Sequence, residues 1–222
     1  YMYHDESAIA SGLASSGVGS DEIFITTKIT CGTYEVSAKQ IDDNLADLNM
    51  ASVNLTLIHF PECFGLGSVA DTWKALEDAQ AAGKTRAIGV SNFSPAQLRK
   101  LKMSARVWPP AINQCSLSVG YHDDATIKYC DDNKITYMAY SPLCGGPNGS
   151  SCRHGSVMSL PQVKSIAGAH GVSAAQVALK WIVQQGRPLA TAVWVEDYMT
   201  EDLDLWAWGN LTDAEMATLT AV

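Results

Sequence analysis

Hydrophobic and polar positions follow two alternating periods along the chain. Short apolar runs, typical of buried strands, alternate with segments whose apolar residues recur every three or four positions, typical of helices that face a core. Strands are predicted at 23–29, 53–60, 86–91, 111–117, 135–140 and 189–195. Helices are predicted at 5–15, 37–49 and 69–82, from 94, from 123, and at 160–170, 173–185, 201–205 and 212–221.

Capping signals mark several helix boundaries. Ser94-Pro95 places a capping hydroxyl before a proline at the first helical position, and Ser37 is a second candidate N-cap. Gly83 follows the third predicted helix, where glycine commonly ends a helix. The alternation of strands and helices therefore predicts an α/β protein with a parallel sheet and helices outside it.

Two architectures fit such an alternation: a doubly wound sheet and a (β/α)8 barrel. A doubly wound dinucleotide-binding sheet carries G-x-G-x-x-G after its first strand, and this chain does not. Residues able to carry chemistry stand instead at the ends of many strands: Lys28, His59, Ser91, Asn92, Gln114, Tyr140 and Ser141. This distribution favours the barrel type, and with no break in composition a single domain is predicted over residues 1–222.

Composition and charge narrow the class. The 222 residues are 47% hydrophobic and 17% charged, with a net charge of −8, which indicates a globular chain. Nucleic-acid binding is not expected because phosphate neutralisation requires a basic face. No apolar run approaches the roughly 18–20 residues of a membrane span.

The cysteines and histidines indicate no metal site. The six cysteines are irregularly spaced and form no C-x-x-C pair, so we expect reduced thiols rather than a disulfide scaffold or a zinc site. The histidines outside the strand ends show no ligand spacing. A cytoplasmic or organelle-interior location is expected, and the choice between them stays open.

Three side chains suggest a reaction. Lys28 and His59 end two apolar runs, and Tyr3 precedes them. An ammonium, an imidazole and a phenol delivered from successive strand ends form a constellation able to protonate a carbonyl oxygen. Taken singly, Lys28 is better interpreted as an ordinary strand-end lysine and His59 as a core histidine, and Tyr1 competes with Tyr3.

Several stretches, read in order, resemble the aldo-keto reductase superfamily along essentially the whole chain. They are Tyr-His-Asp-Glu at 3–6, Thr-Lys at 27–28, Leu-Ile-His-Phe-Pro at 57–61, the run from Gly83 to Phe93, Asn-Gln at 113–114 and Tyr-Ser-Pro-Leu at 140–143. The resemblance implies NADPH-dependent reduction of a small aldehyde or ketone. It makes Tyr3 the proton donor, Lys28 the cation that lowers its pKa, and His59 the residue that orients the carbonyl oxygen.

The resemblance also implies a set of cofactor contacts. Ser91, Asn92 and Gln114 would bind the nicotinamide carboxamide, and Tyr140 would stack on the nicotinamide ring. The remaining contacts would run past the pyrophosphate and on to the adenosine: Ser141, Leu143, Gly145, Gly146 and Glu201.

The sequence departs from the family pattern in two places. The family's first two strands, and the Asp that pairs with the lysine, are not in this sequence, so we expect an incomplete (β/α)8 barrel with about six parallel strands. Upstream residues or a protein partner would then cover the gap. After the last strand, alignment on Glu201 places Ala192-Val193, Tyr198 and Asp202 where the family has Lys-Ser, Arg and Asn. No Lys or Arg follows Pro188, so NADPH binding should be weakened.

Two functions from different classes follow. The first is an NADPH-dependent carbonyl reductase acting on a small-molecule substrate. The alternative is a catalytically degraded relative that serves as a structural or interaction module in a larger assembly. The presence of Tyr3, Lys28 and His59 favours the reductase, whereas the missing strands and the missing phosphate cations favour the module.

Overall fold

The structure, a computed structural model, describes residues 5–144 and 155–222; the predictions for Tyr3, Gly145 and Gly146 lie outside these ranges. Within them the chain forms six strands: β1 (Thr26–Ile29), β2 (Val53–Ile58), β3 (Thr85–Ser91), β4 (Ile112–Ser116), β5 (Thr136–Tyr140) and β6 (Leu189–Ala190). The strands follow chain order in one sheet. The predicted α/β class with about six parallel strands is confirmed.

Helices separate most of the strands. In the described residues they are α1 (Glu6–Ser16), α2 (Tyr34–Asp47), α3 (Val69–Ala81), α4 (Pro95–Lys102), α5 (Asp124–Asp132), α6 (Pro161–His170), α7 (Ala174–Gln184), α8 (Glu196–Leu203) and α9 (Asp213–Thr220). The predicted cap at Ser94 is confirmed, since its hydroxyl accepts from Gln97 N and a reciprocal Gln97 contact completes a capping box. None of the helices described has the length and apolar character needed to cross a membrane.

The chain divides into two compact units, and the boundary falls within β4. Unit 1 extends to Asn113 and includes Lys128–Thr136, whereas unit 2 comprises Gln114–Ile127 and Tyr137–Val222. The assignment of the whole chain to one domain stays a prediction.

Unit 1 is built on the parallel strands β1, β2 and β3. Lys28 pairs with Leu57, and Leu57 pairs with Gly89. Five of the six β2 residues are buried and four of the six are apolar, as expected for a strand covered on both faces. A Cβ at Gly89 would lie 2.7 Å from both Leu57 Cδ2 and Ile112 O, so only glycine fits at that position.

Unit 2 is built around α7 and the parallel pair β5–β6. Ala139 pairs with Leu189, and Tyr140 pairs with Ala190. The buried face of α7 includes Trp181, whose indole Nε1 donates to Thr220 Oγ1 at 3.1 Å and so fastens α9. Apolar residues at helical spacing along α7 therefore form this unit's core, as the periodicity predicts.

Several predicted boundaries are wrong. Helix α8 spans Glu196–Leu203 instead of 201–205, and β1 begins at Thr26 instead of residue 23. Helix α2 begins one turn earlier than expected, because Thr33 is its N-cap and accepts from Val36 N, while Ser37 is buried inside the helix and bonds to Thr72 Oγ1. Strand β6 stops at Ala190 instead of residue 195. Its neighbour β5 ends at Tyr140, where Ser141 turns away with a φ of 50°, so a longer β6 would find no backbone partner there.

The expectation of reduced thiols is also wrong for part of the chain. Cys31 and Cys63 form a disulfide with a Cα–Cα distance of 4.7 Å, and Cys144 is disulfide-bonded as well. Cys31 follows β1 and Cys63 follows β2, so the parallel pairing of these strands brings together cysteines that lie 32 positions apart. Cys115 and Cys130 are buried thiols that take no part in a disulfide.

Candidate active site

Strand register places three of the predicted site residues on one face of unit 1. Lys28 lies beside Leu57 in the sheet, and His59 follows Leu57 by two positions. Ser91 follows Gly89, the partner of Leu57 on the other side, also by two positions. Because side chains alternate with a period of two, Lys28, His59 and Ser91 point to the same face, at the carboxyl ends of β1, β2 and β3.

Polar side chains of α2 hold the end of β1. The buried Asn44 donates to Thr27 Oγ1 at 2.8 Å and to the carbonyl oxygen of Lys28 at 3.1 Å. Gln40 accepts from the backbone N–H of Thr30 at 2.8 Å. These hydrogen bonds fix the backbone that carries Lys28, and sequence reasoning missed them; the available signal was two polar residues beside the apolar stripe of α2.

The ammonium of Lys28 lies in a partly desolvated position. Burial lowers its pKa below the usual value, and the negative charge of Asp5 acts in the opposite direction. Asp5 stands one position before α1, and Glu6 of that helix is buried against Thr27. Helix α1 therefore brings a carboxylate into the field of Lys28.

His59 is a buried imidazole that stays neutral at physiological pH. Its side chain is stacked on Phe60, with ring centroids 4.5 Å apart, and the residue is 5% exposed. Burial lowers the pKa of His59 to about 4, and the positive charge of Lys28 contributes to the shift. The influence of Lys28 on His59 indicates that the two side chains share one electrostatic environment.

Asn92 connects the ends of β3 and β2. Its φ of 65° lies in the left-handed region, which asparagine tolerates better than most residues. In this conformation its Nδ2 donates to the carbonyl oxygen of His59 and to Ser91 Oγ, both at 3.0 Å. The buried Asn113 holds Phe93, the residue that follows Asn92. Its Oδ1 accepts from the backbone N–H of Phe93, and its Nδ2 donates to the carbonyl oxygen of Phe93. Unit 1 thus brings together Lys28, His59, Ser91 and Asn92.

The remaining predicted site residues lie in unit 2, at the end of β5 and near it. Gln114 is 3% exposed and donates to Met138 Sδ at 3.3 Å. Tyr140 is half-buried, and its carbonyl oxygen accepts from Leu117 N at 3.2 Å. Ser141 and the half-buried Leu143 lie in the turn that follows, closed by a hydrogen bond from Cys144 N to Ser141 O.

Glu201 stands near the end of α8 and is also half-buried. Its carbonyl oxygen accepts from Gln176 Nε2 at 3.3 Å. The neighbouring Asp202 has its pKa raised, chiefly by burial and secondarily by the negative charge of Glu201. Its Oδ2 is buried and accepts no hydrogen bond from the described residues. The end of α8 is therefore a carboxylate-rich position with unused acceptor capacity.

A cleft of about 680 Å³ opens elsewhere in unit 1. It lies between the start of α3 and helix α4, and Phe93, Leu101, Met103 and Val69 contribute to its mainly apolar lining. Lys28, His59, Ser91 and Asn92 are not among its lining residues. The cleft is thus distinct from the face that carries the predicted chemistry.

In the described residues, no group of three or more His, Cys, Asp or Glu is arranged to hold a metal ion.

Solved structures support the fold. The chain superimposes over its full length on an aldo-keto reductase enzyme, MGS-M4, from a Medee basin deep-sea metagenome library, with a TM-score of 0.90, 24% identity and 79% of that chain covered. The aldose reductase from Schistosoma japonicum matches with a TM-score of 0.88 and 24% identity, over 100% of this chain and 77% of that one. The architecture is therefore that of the aldo-keto reductase barrels.

Sequence comparison identifies relatives among characterised proteins. The chain is 33% identical to NADPH-dependent codeinone reductase 1-4 of Papaver somniferum, over 97% of this chain and 71% of that protein. It is 31% identical to the 9,11-endoperoxide prostaglandin H2 reductase of Trypanosoma cruzi (strain CL Brener), over 97% of this chain and 73% of that protein. The model of the aldo/keto reductase family matches residues 1–222. The chain belongs to the aldo/keto reductase family.

Proposed function

We propose that this chain reduces the carbonyl group of a small aldehyde or ketone to an alcohol, with a reduced nicotinamide dinucleotide as the hydride donor. Relatives named as NADPH-dependent reductases support the reaction class. The observation that carries the proposal is the placement of Lys28 and a neutral, buried His59 at the carboxyl ends of adjacent strands, where the charge of Lys28 acts on the imidazole. This arrangement suits a reaction that develops negative charge on an oxygen atom.

His59 is proposed to position and polarise the carbonyl oxygen. With a pKa of about 4, the imidazole is neutral at pH 7 and keeps one ring N–H to donate. A neutral N–H donor stabilises the developing charge on the oxygen without giving up its proton. The stacked Phe60 restricts the ring orientation, so the donor direction is largely set before substrate binds.

Tyr3 is proposed as the proton donor, and Lys28 as the cation that assists it. A free phenol has a pKa of ~10, and a nearby ammonium favours the phenolate, which makes proton transfer near neutral pH easier. When bound, the dinucleotide supplies the hydride that adds to the carbonyl carbon. The Tyr3 proton goes to the oxygen, the product is the alcohol, and bulk water restores the phenol.

The resemblance to the aldo-keto reductases supports a proposed set of dinucleotide contacts. Ser91 and Asn92 present a hydroxyl and an amide, which suit a carboxamide. By the same resemblance we assign Gln114 to the carboxamide, Tyr140 to the nicotinamide ring, and Glu201 to the adenosine. Ser141 and Leu143 are proposed to lie along the pyrophosphate together with Gly145 and Gly146. The 2′-phosphate of NADPH has no matching cation in the segment after β6.

Two measurements test the proposal. Titration with a reduced dinucleotide should quench tryptophan fluorescence at micromolar concentration, and an aromatic aldehyde should then oxidise the dinucleotide. Tyr3→Phe should abolish turnover and leave dinucleotide binding nearly unchanged, while Tyr1→Phe serves as the matched control. Equal turnover by Tyr3→Phe and the wild type would remove Tyr3 from the acid role.

One observation favours the alternative function, a non-catalytic module in a larger assembly. The segment after β6 lacks the cations that would hold a phosphorylated dinucleotide. If this segment has lost all dinucleotide binding, no quench should appear with either NADH or NADPH up to millimolar concentration. That result would contradict the reductase proposal and favour the module.

A further inference from the structure

The segment that follows β6 is where a β/α barrel commonly holds a phosphate. In this architecture a phosphate site is frequently formed by the loops after the last strands and by the N-terminus of a short extra helix. In this chain α8 begins six positions after β6, and its first turn carries Glu196 and Asp197. Both carboxylates are exposed, so they oppose the attraction that a helix N-terminus otherwise offers an anion.

Acidic residues continue through the helix. Between Glu196 and Asp204 the chain has five carboxylates and no cation: Glu196, Asp197, Glu201, Asp202 and Asp204. No Lys or Arg occurs from Pro188 to Val222. The charged side chains of this segment would therefore all repel a phosphate dianion.

The two cations that precede the segment in sequence are committed to other contacts. Lys180 is 1% exposed, and its Nζ donates to the carbonyl oxygen of Leu205 at 2.8 Å. The same ammonium lies 4.9 Å from the ring centroids of Trp206 and Trp208. The guanidinium of Arg187 lies 5.7 Å over the ring of Tyr137. Both cations serve the packing of unit 2.

A ribose hydroxyl, in contrast, suits this helix. A carboxylate that accepts from the ribose 2′-hydroxyl is a known physical means of holding NAD without a 2′-phosphate. Glu201 and Asp202 are half-buried, and Asp202 Oδ2 accepts no hydrogen bond in the described part of the chain. A carboxylate can accept from a neutral hydroxyl, whereas its negative charge repels a phosphate.

We propose that the acidic helix α8 makes this chain select NADH over NADPH. This selectivity rests on the proposed function, because it concerns the dinucleotide of the same reaction. It is the reverse of the preference implied by the resemblance to NADPH-dependent reductases. The residues that carry it are the carboxylates of α8, of which Asp197 is exposed and open to substitution.

The test compares the dissociation constants of NADH and NADPH, measured by quenching of tryptophan fluorescence. We expect NADH to bind at least about tenfold more tightly at low salt, and the difference to narrow as salt screens the repulsion. Asp197→Lys should tighten NADPH binding about tenfold and leave NADH binding nearly unchanged. Asp213→Lys is the matched control, because Asp213 is also exposed and in the first turn of a helix, α9, and it should not alter the ratio.

The outcomes separate this inference from the proposed function. Tighter binding of NADPH than of NADH by the wild type would overturn the selectivity and leave carbonyl reduction standing. The same result would follow if Asp197→Lys and Asp213→Lys changed the ratio equally, since the effect would then come from net charge alone. Binding of neither dinucleotide would contradict the proposed function and the selectivity with it.

Discussion

The side-chain amide of Asn92 donates a hydrogen bond to the backbone carbonyl oxygen of His59 at 3.0 Å. This bond joins the ends of β3 and β2, at the position where the chain places the imidazole proposed to orient the substrate. Asn92 makes this contact from a left-handed backbone conformation. The uncommon backbone conformation of Asn92 thus helps to place His59, a proposed catalytic residue.

Removal of this bond should loosen His59. Asn92→Ala loses the hydrogen bond and places a side chain poorly suited to a positive φ, so we expect the free energy of unfolding to fall by about 2 kcal/mol. Asn92→Gly loses the same bond, but glycine adopts a positive φ without strain. The free energy of unfolding should therefore fall less in the glycine variant than in the alanine variant. Urea denaturation of both variants measures the difference. If glycine costs as much as alanine, the backbone conformation carries no strain.

The depressed pKa of His59 predicts a pH dependence of stability. The pKa is about 4 in the folded protein against the ordinary value of 6.5, so the unfolded chain binds more protons between these values. Stability from this group is therefore complete above pH 6.5 and is lost as the pH falls toward 4. Between pH 7 and pH 5 we expect the wild type to lose about 2 kcal/mol more than His59→Gln, whose side chain does not titrate.

Urea denaturation of both proteins at the two pH values checks this expectation. The comparison subtracts the carboxylates whose pKa values are also lowered, including Glu77 and Glu215, because they are present in both proteins. Equal losses in the wild type and in His59→Gln would show that His59 is protonated as readily in the folded state as in the unfolded state.

The disulfide between Cys31 and Cys63 should stabilise unit 1. It closes a loop of 32 positions, and the chain-entropy model gives about 3–4 kcal/mol for a loop of that length. Cys31→Ser and Cys63→Ser should therefore lower the free energy of unfolding by similar amounts. The double variant should lower it by no more than either single variant. Alkylation of the denatured, unreduced protein followed by mass spectrometry should leave Cys31 and Cys63 unmodified. Alkylation of both would contradict the disulfide.

The sequence was sufficient for the fold class and for the residues on the strand ends. Periodicity is a local property, so the strands carrying Lys28 and His59 could be predicted before their pairing was known. The face shared by Lys28, His59 and Ser91 then follows from a parallel register and a period of two.

Features that depend on distant partners could not be predicted in the same way. The end of β6 at Ala190 is set by the end of β5, and the Cys31–Cys63 pairing is set by the register of β1 and β2. The support that Asn44 gives to Lys28 requires α2 to pack on β1. The charges of α8 can be seen in the sequence, whereas the burial of Asp202 Oδ2 away from any donor among the described residues cannot.

The central claim is that Lys28 assists proton delivery to a carbonyl oxygen beside His59, and the rate of aldehyde reduction by Lys28→Met tests it most directly. The control is Lys39→Met, which removes an exposed lysine paired with Asp43 on α2. The account predicts that Lys28→Met lowers kcat by about 10²–10⁴-fold with dinucleotide affinity retained, while Lys39→Met keeps wild-type turnover. Wild-type turnover by Lys28→Met would contradict the account.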